Sequence, residues 1–333
     1  MLCIQMGAKM ELISEERYRE QMEEVVEPGL VRIRKRGFLA AHRGKTGGVG
    51  KLYYEYYRVD EPRGNVVISH GFTENAEKYR ELIWYFIKEE YQVFIMEHRG
   101  HGRSFREVGD VSLTHVEHFR NYVEDFSRFV KKVAVPAGKG KPMYLFAHSM
   151  GGAVGAAVLE RIPGLFDKAV LSSPMMKVNM GRAPVWLAWL VTAVYTILGY
   201  GEEYAPGHCP YPGEGRFEKS SATSRARFDY YEEKKRNHRW MQNHGASCRW
   251  AMECIAGAAR VRSRRGCARV SCPVLVLQAE KDVFVADRGE VLFSDRVRCG
   301  RCVKFPGTKH ELYRSDNEVL GKYLKTVFSF LEK

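Results

Sequence analysis

A chain of 333 residues that is 45% hydrophobic and 28% charged can bury a sizeable core, which excludes a disordered chain and a small stapled scaffold. Lysine and arginine number 53 against 40 acidic residues, a net charge of +13. Net charge alone is weak support for nucleic-acid binding, and eight scattered cysteines do not form the dense pattern of a secreted disulfide framework.

The first residues, "MLCIQMGAKMELISEERYREQ", pass quickly from apolar to charged and lack the apolar core of a secretion signal. The reading is therefore a cytoplasmic protein with reduced thiols. Stretches 30–40 and 50–59 read as an antiparallel pair at the start of a sheet. "GNVVISHG" (64–71) reads as a strand followed by an amphipathic stretch over 75–90. "YQVFIMEH" (91–98) leads into a Gly-rich loop and a helix over 115–133. "PMYLFAHS" (142–149) runs into a helix of small residues, and "KAVLSSP" (168–174) follows. Much later come "CPVLVLQAE" (272–280), "RCVKFPG" (301–307) and a terminal helix near 316–332. Continuous Val/Ile/Leu runs alternating with helices predict a mostly parallel sheet covered on both faces.

The rhythm breaks between about 175 and 265, a block rich in Trp, Tyr and Arg with no clear strand. It reads as a mainly helical cap inserted over the carboxyl ends of the strands, where open α/β sheets bind ligands. The domain division is thus α/β core over 1–174, cap over 175–265, and core again over 266–333. Within the cap, residues 183–201 carry no charge. Length alone allows a membrane span, but the position between core segments favours a buried cap helix or one inserted shallowly at a membrane. Residues 216–269 hold fourteen Lys/Arg and five Asp/Glu. That surplus is either a solubilising face or a surface for anionic headgroups.

"AHSMGG" (147–152) sits where a strand hands over to a helix. A nucleophile there projects from a sharp turn, and the next backbone N–H, of Met150, lies at a helix N-terminus where it can stabilise an oxyanion. The usual pattern is G-x-S-x-G; here Ala147 replaces the first glycine and leaves the elbow's geometry open. A second oxyanion donor belongs in a loop after an earlier strand, and the Phe72 amide in "SHGFTEN" (69–75) is the candidate. The order on this scaffold is serine, acid, histidine. Asp282 follows the strand at 272–279, and His310 follows the strand at 301–305. Glu280 and Asp287 are the rival acids. His70, His98, His101 and His148 read as loop-shaping, Arg99 as structural, and Asp125 and Asp229 as solvated helix charges.

With these pieces in place, "HGFTEN", "EHRGHGRS" (97–104), "AHSMGG", "LQAEKD" (277–282) and "GTKHELYRSDNE" (307–318) make the chain resemble the α/β-hydrolase superfamily. Within it, the chain is similar to the bacterial lysophospholipase and monoacylglycerol lipase branch from about residue 30 onward. "SSATSRARFDYYEE" (220–233) looks more like the lysophospholipase side. The resemblance implies an α/β-hydrolase fold and an ester hydrolase with Ser149, Asp282 and His310 as triad. Phe72 and Met150 would form the oxyanion hole. It implies no metal and no organic cofactor.

An acyl chain needs an apolar groove. Trp186, Leu187, Trp189, Leu190, Val194 and Leu198 offer one, with Trp186, Trp189 and Leu190 as the substrate-contact candidates. At helical spacing such a stripe is commonly core packing, but a cap has little core of its own, which favours lipid contact and peripheral membrane association. Cys272 and Cys302 read as lying just before strands, so Cys267, Cys272, Cys299 and Cys302 could gather at the amino edge of the sheet. Unrelated reduced thiols are the simpler reading than a structural metal. Two alternatives stay open: an aminopeptidase or amidase on the same scaffold, for which no pocket acid is identifiable, and a non-catalytic binding protein with a hydrolase fold. Oligomeric state, acyl length and headgroup are not readable.

Overall fold

The computed structural model describes residues 11–42 and 50–332. Its frame is one eight-stranded sheet. The strands are β1 (Arg34–Ala40), β2 (Lys51–Tyr57), β3 (Gly64–Ser69), β4 (Tyr91–Met96), β5 (Met143–His148), β6 (Lys168–Ser172), β7 (Val274–Ala279) and β8 (Gly300–Phe305). Their spatial order is β1-β2-β4-β3-β5-β6-β7-β8. β1 pairs antiparallel with β2 from Arg34↔Tyr57 to Ala40↔Lys51, and β2 is antiparallel to β4. Every later pairing is parallel. Residues 30–33 of the expected first strand instead end a short helix, Glu27–Ile33.

The pleat sorts the central strands into two apolar layers. Val67, Phe94, Met96, Leu145 and Ala147 point to one, and Val66, Ile68, Val93, Ile95, Tyr144 and Phe146 to the other. Helices close each layer. Phe119, Tyr122 and Phe126 of α2 (Phe119–Phe129) and Met150, Ala153 and Val154 of α3 (Met150–Arg161) cover the first. Leu82, Ile83 and Phe86 of α1 (Arg80–Lys88), with Leu320, Leu324 and Val327 of α7 (Asn317–Glu332), cover the second. Burial on both faces is why these strands appear as unbroken apolar runs.

Between β6 and β7 lie α4 (Val185–Tyr195), α5 (Arg225–Asn237) and α6 (Cys248–Val261). The block is not strand-free: Gly245–Ala246 pairs in parallel with Leu113–Thr114. α6 packs against α2, α3 and α4. α5 is strapped to the core by buried Arg227, whose guanidinium donates to both Glu81 oxygens at 2.8 and 2.6 Å and to Asn317 Oδ1 at 2.7 Å. α4 is different. It buries only Thr192 and Ala193. Trp186 is 65% exposed, and Trp189, Leu190 and Val194 are also exposed. The stripe is therefore not core packing. Among the described residues no helix is long and apolar enough to cross a membrane. At ~1.5 Å per residue the eleven residues of α4 span about 16 Å, half of a ~30 Å bilayer core.

Asp125 corrects its expectation as a solvated charge. It is fully buried on α2, accepts from Arg99 Nε at 2.7 Å, and accepts from the His42 amide at 2.6 Å. Arg99 reaches on to Glu107 at 2.7 Å. Asp229 does stay at the surface, paired with Arg225 one turn away at 2.8 Å. Cys302 lies within β8, opposite Val276, and Cys299 is the residue just before that strand. All seven described cysteines are free.

Candidate active site

The turn at Ser149 is built by close approach. Ser149 has φ 53° and ψ −121°, a conformation that costs energy for any residue with a Cβ. Neighbours hold it there. Its amide donates to Ser172 O at 3.1 Å, and its carbonyl accepts from Gly152 N at 2.9 Å and Met175 N at 2.8 Å. Gly151 lets α3 start against the end of β3, since a Cβ there would lie 2.2 Å from Ser69 O and 2.4 Å from His70 O. The unusual Ala147 also has a partner. Position 155, on the facing side of α3, is glycine, and a Cβ at that position would sit 3.2 Å from the Ala147 Cβ and 2.9 Å from Leu145 Cδ2. A methyl group on the strand is matched by a missing one on the helix, so the departure from the usual elbow is absorbed in packing.

The three expected residues meet at the carboxyl edge of the sheet. His310 Nε2 is 2.8 Å from Ser149 Oγ, and His310 Nδ1 is 2.6 Å from Asp282 Oδ2. The other Asp282 oxygen accepts from the Phe284 and Val285 amides at 2.8 and 2.9 Å. Burial pulls the Asp282 carboxyl upward, but the His310 hydrogen bond and charge and these two amides outweigh it and hold it below its ordinary value. A carboxylate can only accept, so His310 carries its proton on Nδ1 and presents the Nε2 lone pair to the serine hydroxyl. The rival acids do not reach His310: Glu280 accepts from the Gly307 amide at 2.8 Å, and Asp287 pairs with Lys304 at 3.0 Å.

Phe72 follows β3 and Met150 opens α3. Among the described residues neither amide has a hydrogen-bond acceptor. The Phe72 ring packs against Trp250 of α6, with ring centroids 4.3 Å apart and the planes tilted by 35°, which fixes the loop's outer side. Its inner side is held by buried histidines. His70 Nδ1 donates to Gly71 O at 2.8 Å, leaving Nε2 to accept from the His98 amide at 2.9 Å. His101 Nδ1 donates to Arg99 O, and His148 Nδ1 donates to Ser172 O. Burial pushes His70 and His148 down to about 4 and His98 and His101 well below the usual range, so all four stay neutral posts.

Glu74 is the residue that sequence reasoning missed. Its Oε2 accepts from the Gly71 amide and Tyr79 OH, both at 2.6 Å, and its Oε1 accepts from Tyr313 OH at 2.8 Å. It thereby joins the oxyanion-side loop to the loop that carries His310. The only available signal was an acid three residues beyond the turn glycine in "HGFTEN".

Beside this edge lies a cleft of about 720 Å³ between the core and α5. Thr73, next to Phe72, and Glu311, next to His310, form its inner wall. Trp186, Trp189 and Leu190 are not among its walls. Among the described residues no group of His, Cys, Asp and Glu side chains is arranged to hold a metal ion.

Comparison with known proteins agrees with the fold. The family model described as serine aminopeptidase, S33, matches residues 60–318. Lysophospholipase L2 of Escherichia coli K12 is 29% identical over 282 residues, covering 80% of each chain. A monoacylglycerol lipase of Mycolicibacterium smegmatis is 28% identical over 278 residues, covering 83% of this chain and 91% of that one. Among solved structures, a soluble variant of the Saccharomyces cerevisiae monoglyceride lipase, in complex with a substrate analog, superposes with a TM-score of 0.70 at 16% identity, over 90% of this chain and 95% of that one. A carboxyl esterase from Bacillus coagulans gives 0.71 at 17%, over 90% and 98%. These two share the fold. A parallel sheet flanked by helices, a serine on a strained strand-to-helix turn, and a family match over 60–318 give one conclusion: the chain belongs to the serine aminopeptidase S33 family of α/β-hydrolases.

Proposed function

We propose that this chain is a carboxylic ester hydrolase that cleaves the acyl ester of lysophospholipids or monoacylglycerols through an acyl-enzyme at Ser149. The observation that carries this reading is the continuous contact from Ser149 Oγ through His310 to Asp282, at 2.8 and 2.6 Å. His310 Nε2 takes the serine proton as Oγ attacks the ester carbonyl. Asp282 stabilises the imidazolium through Nδ1–H, and the Phe72 and Met150 amides receive the charge that develops on the carbonyl oxygen. The tetrahedral adduct collapses, the proton on Nε2 passes to the leaving alcohol, and water repeats the sequence on the acyl-enzyme. Each step is met by this chain's own residues, which supports a reaction with no metal or organic cofactor.

The lipid class is supported by the relatives named above and by the exposed apolar surface of α4 and of the Thr196–Tyr200 segment that follows it. Trp186, Ile197 (82% exposed) and Leu198 (66% exposed) present a face that suits the interfacial region of a bilayer. The cap would rest on the membrane by this face while the basic segment around α5 and α6 meets anionic headgroups. Flotation with anionic and neutral vesicles tests the contact. Binding that favours anionic vesicles and falls in a Trp186→Ser/Ile197→Ser/Leu198→Ser variant is expected; equal, negligible binding to both would sink it.

The family description favours aminopeptidase activity as a second reading. A free substrate amine needs a carboxylate-rich pocket, and the cleft beside the site has five Lys/Arg walls against three glutamates, which argues for an anionic partner. Assays on a lysophosphatidylcholine, a monoacylglycerol and an aminoacyl amide, with wild type and Ser149→Ala, separate the two. Ester turnover lost in the variant is expected; turnover of the amide alone would move the protein to the peptidases.

A further inference from the structure

Lys235 stands on the inward face of α5, in the run "EEKKRN". Its side chain is buried, with the residue only 8% exposed, and it lines the cleft next to the oxyanion loop. Among the described residues its ammonium makes no salt bridge and no hydrogen bond; the Tyr211 ring lies 4.8 Å away, and Glu232 and Glu311 are the carboxylates whose charge it feels. An ammonium on a largely buried side chain, with no carboxylate in direct contact, gains from an anion bound beside it. Two more cations face the same space. Lys78 and Arg314 share Glu311, at 2.5 and 2.7 Å, and Lys78 also contacts Glu74 at 3.0 Å. Arg216 and Lys219 form the outer wall, and Glu214, Glu232 and Glu311 are the acidic residues of the cleft. The cleft therefore has an excess of two positive charges, and its innermost unpaired one is Lys235.

The cleft is also in the right place for the leaving alcohol. Thr73 is one peptide unit, about 3.8 Å, beyond Phe72, whose amide faces the reacting carbonyl in the proposed site. A group one glycerol away from the ester would enter here. Burial pushes Lys235 down to about 8 against the pull of Glu232 and Glu311, so it still carries its charge at neutral pH.

We propose that this cleft is a phosphoryl subsite, in which Lys235, with Lys78 and Arg314 beside it, holds the phosphate of a monoacyl glycerophosphate whose ester lies at Ser149. The inference rests on the ester-hydrolase reading and narrows it to phosphorylated lipids over neutral monoacylglycerols. The phosphate would complete the coordination of Lys235 and orient the glycerol, so that selectivity arises on the alcohol side of the scissile bond. Salt would weaken the preference, since phosphate capture is electrostatic.

The test uses short, monomeric ligands and two measurements. The first is kcat/KM for a hexanoyl glycerol 3-phosphate and for hexanoyl glycerol. Wild type should prefer the phosphorylated ester by at least tenfold, and Lys235→Met should lower that ratio at least tenfold. The second is binding of the uncleavable hexyl ether of each compound to Ser149→Ala, with and without Lys235→Met. Tighter binding of the phosphorylated ether, lost with Lys235→Met, is expected. Glycerol 3-phosphate should compete better than inorganic phosphate. Equal competition by inorganic phosphate would overturn the headgroup assignment in favour of a free-phosphate site. Ester turnover with no phosphate preference in either measurement would overturn the subsite and leave the hydrolase reading intact. Phosphate-selective ether binding without ester turnover would do the reverse. Lys235→Met removes a buried charge, so a thermal melt at or above wild type shows that the loss is not unfolding.

Discussion

Replacing Asp282 with asparagine is the sharpest perturbation of the site, because the structure dictates which way the new amide must face. The carboxylate's two oxygens do different things. Oδ1 accepts from two backbone amides, at 2.8 and 2.9 Å, and Oδ2 accepts from His310 Nδ1 at 2.6 Å. In Asp282→Asn the amide oxygen must take the place facing two N–H donors, since an NH2 there would leave both unsatisfied. The NH2 then points at His310 and requires an acceptor. Imidazole responds by moving its proton to Nε2, the nitrogen that must instead accept the serine proton. The loss is therefore a wrong tautomer in unchanged geometry, worth about four orders of magnitude in kcat for a Ser-His-Asp triad. Four orders correspond to about 5.4 kcal/mol of barrier. Hydrolysis of a soluble p-nitrophenyl ester, followed from pH 6 to 10, is a suitable assay, with a thermal melt to show that the fold survives. A loss of less than tenfold in a well-folded variant would refute the reasoning, because His310 would then not depend on the acid for its proton placement.

Other substitutions address the scaffold. Gly155→Ala should cost about 1–2 kcal/mol despite alanine's better helix propensity, because its methyl meets the Ala147 methyl, and Ala147→Gly in the same chain should recover about 1 kcal/mol; additive denaturation midpoints would contradict the pairing of these two positions. Asp125→Ala should destabilise by about 3–5 kcal/mol, since it strips Arg99 of its fully buried partner, although Glu107 retains part of the charge balance; an unchanged melting temperature would contradict this. Burial, with Asp282 and Asp287 nearby, pushes Glu290 up to about 9, against the 4.5 of an ordinary glutamate. Between those two values the folded chain holds a proton that the unfolded chain has released, so this group lowers stability as pH rises, by about 1.4 kcal/mol per unit. Glu290→Gln lacks that dependence, so its melting temperature should gain on wild type from pH 6 to pH 8, and a constant gap over that range would rule the assignment out.

The parts of this molecule that were legible before the fold was known share a physical cause. Parallel strands buried on both faces must be apolar throughout, so β3 to β7 stand out as runs while the edge strand β8 is half exposed, and the loops at their carboxyl ends are where Ser149, Asp282 and His310 converge. Charged residues on helices were harder. Helical periodicity cannot tell whether Asp125 faces solvent or the Arg99 guanidinium, and Lys235, in a run of charges, has the appearance of a solvated face until α5 is seen packed over the cleft. Glu74 was unreadable for a related reason, since its partners Tyr79 and Tyr313 are 5 and 239 residues away and meet it only through the fold. Helical spacing alone lets the α4 stripe be either core packing or lipid contact, and its exposure removes the packing outcome.

The most direct test of the account is chemical labelling of the serine. A fluorophosphonate should attach once per chain, at Ser149 Oγ, as read by peptide mass spectrometry. Labelling should be abolished in Ser149→Ala together with a loss of ester turnover of several orders of magnitude. Labelling at any other residue, or ester turnover that persists in Ser149→Ala, would contradict it.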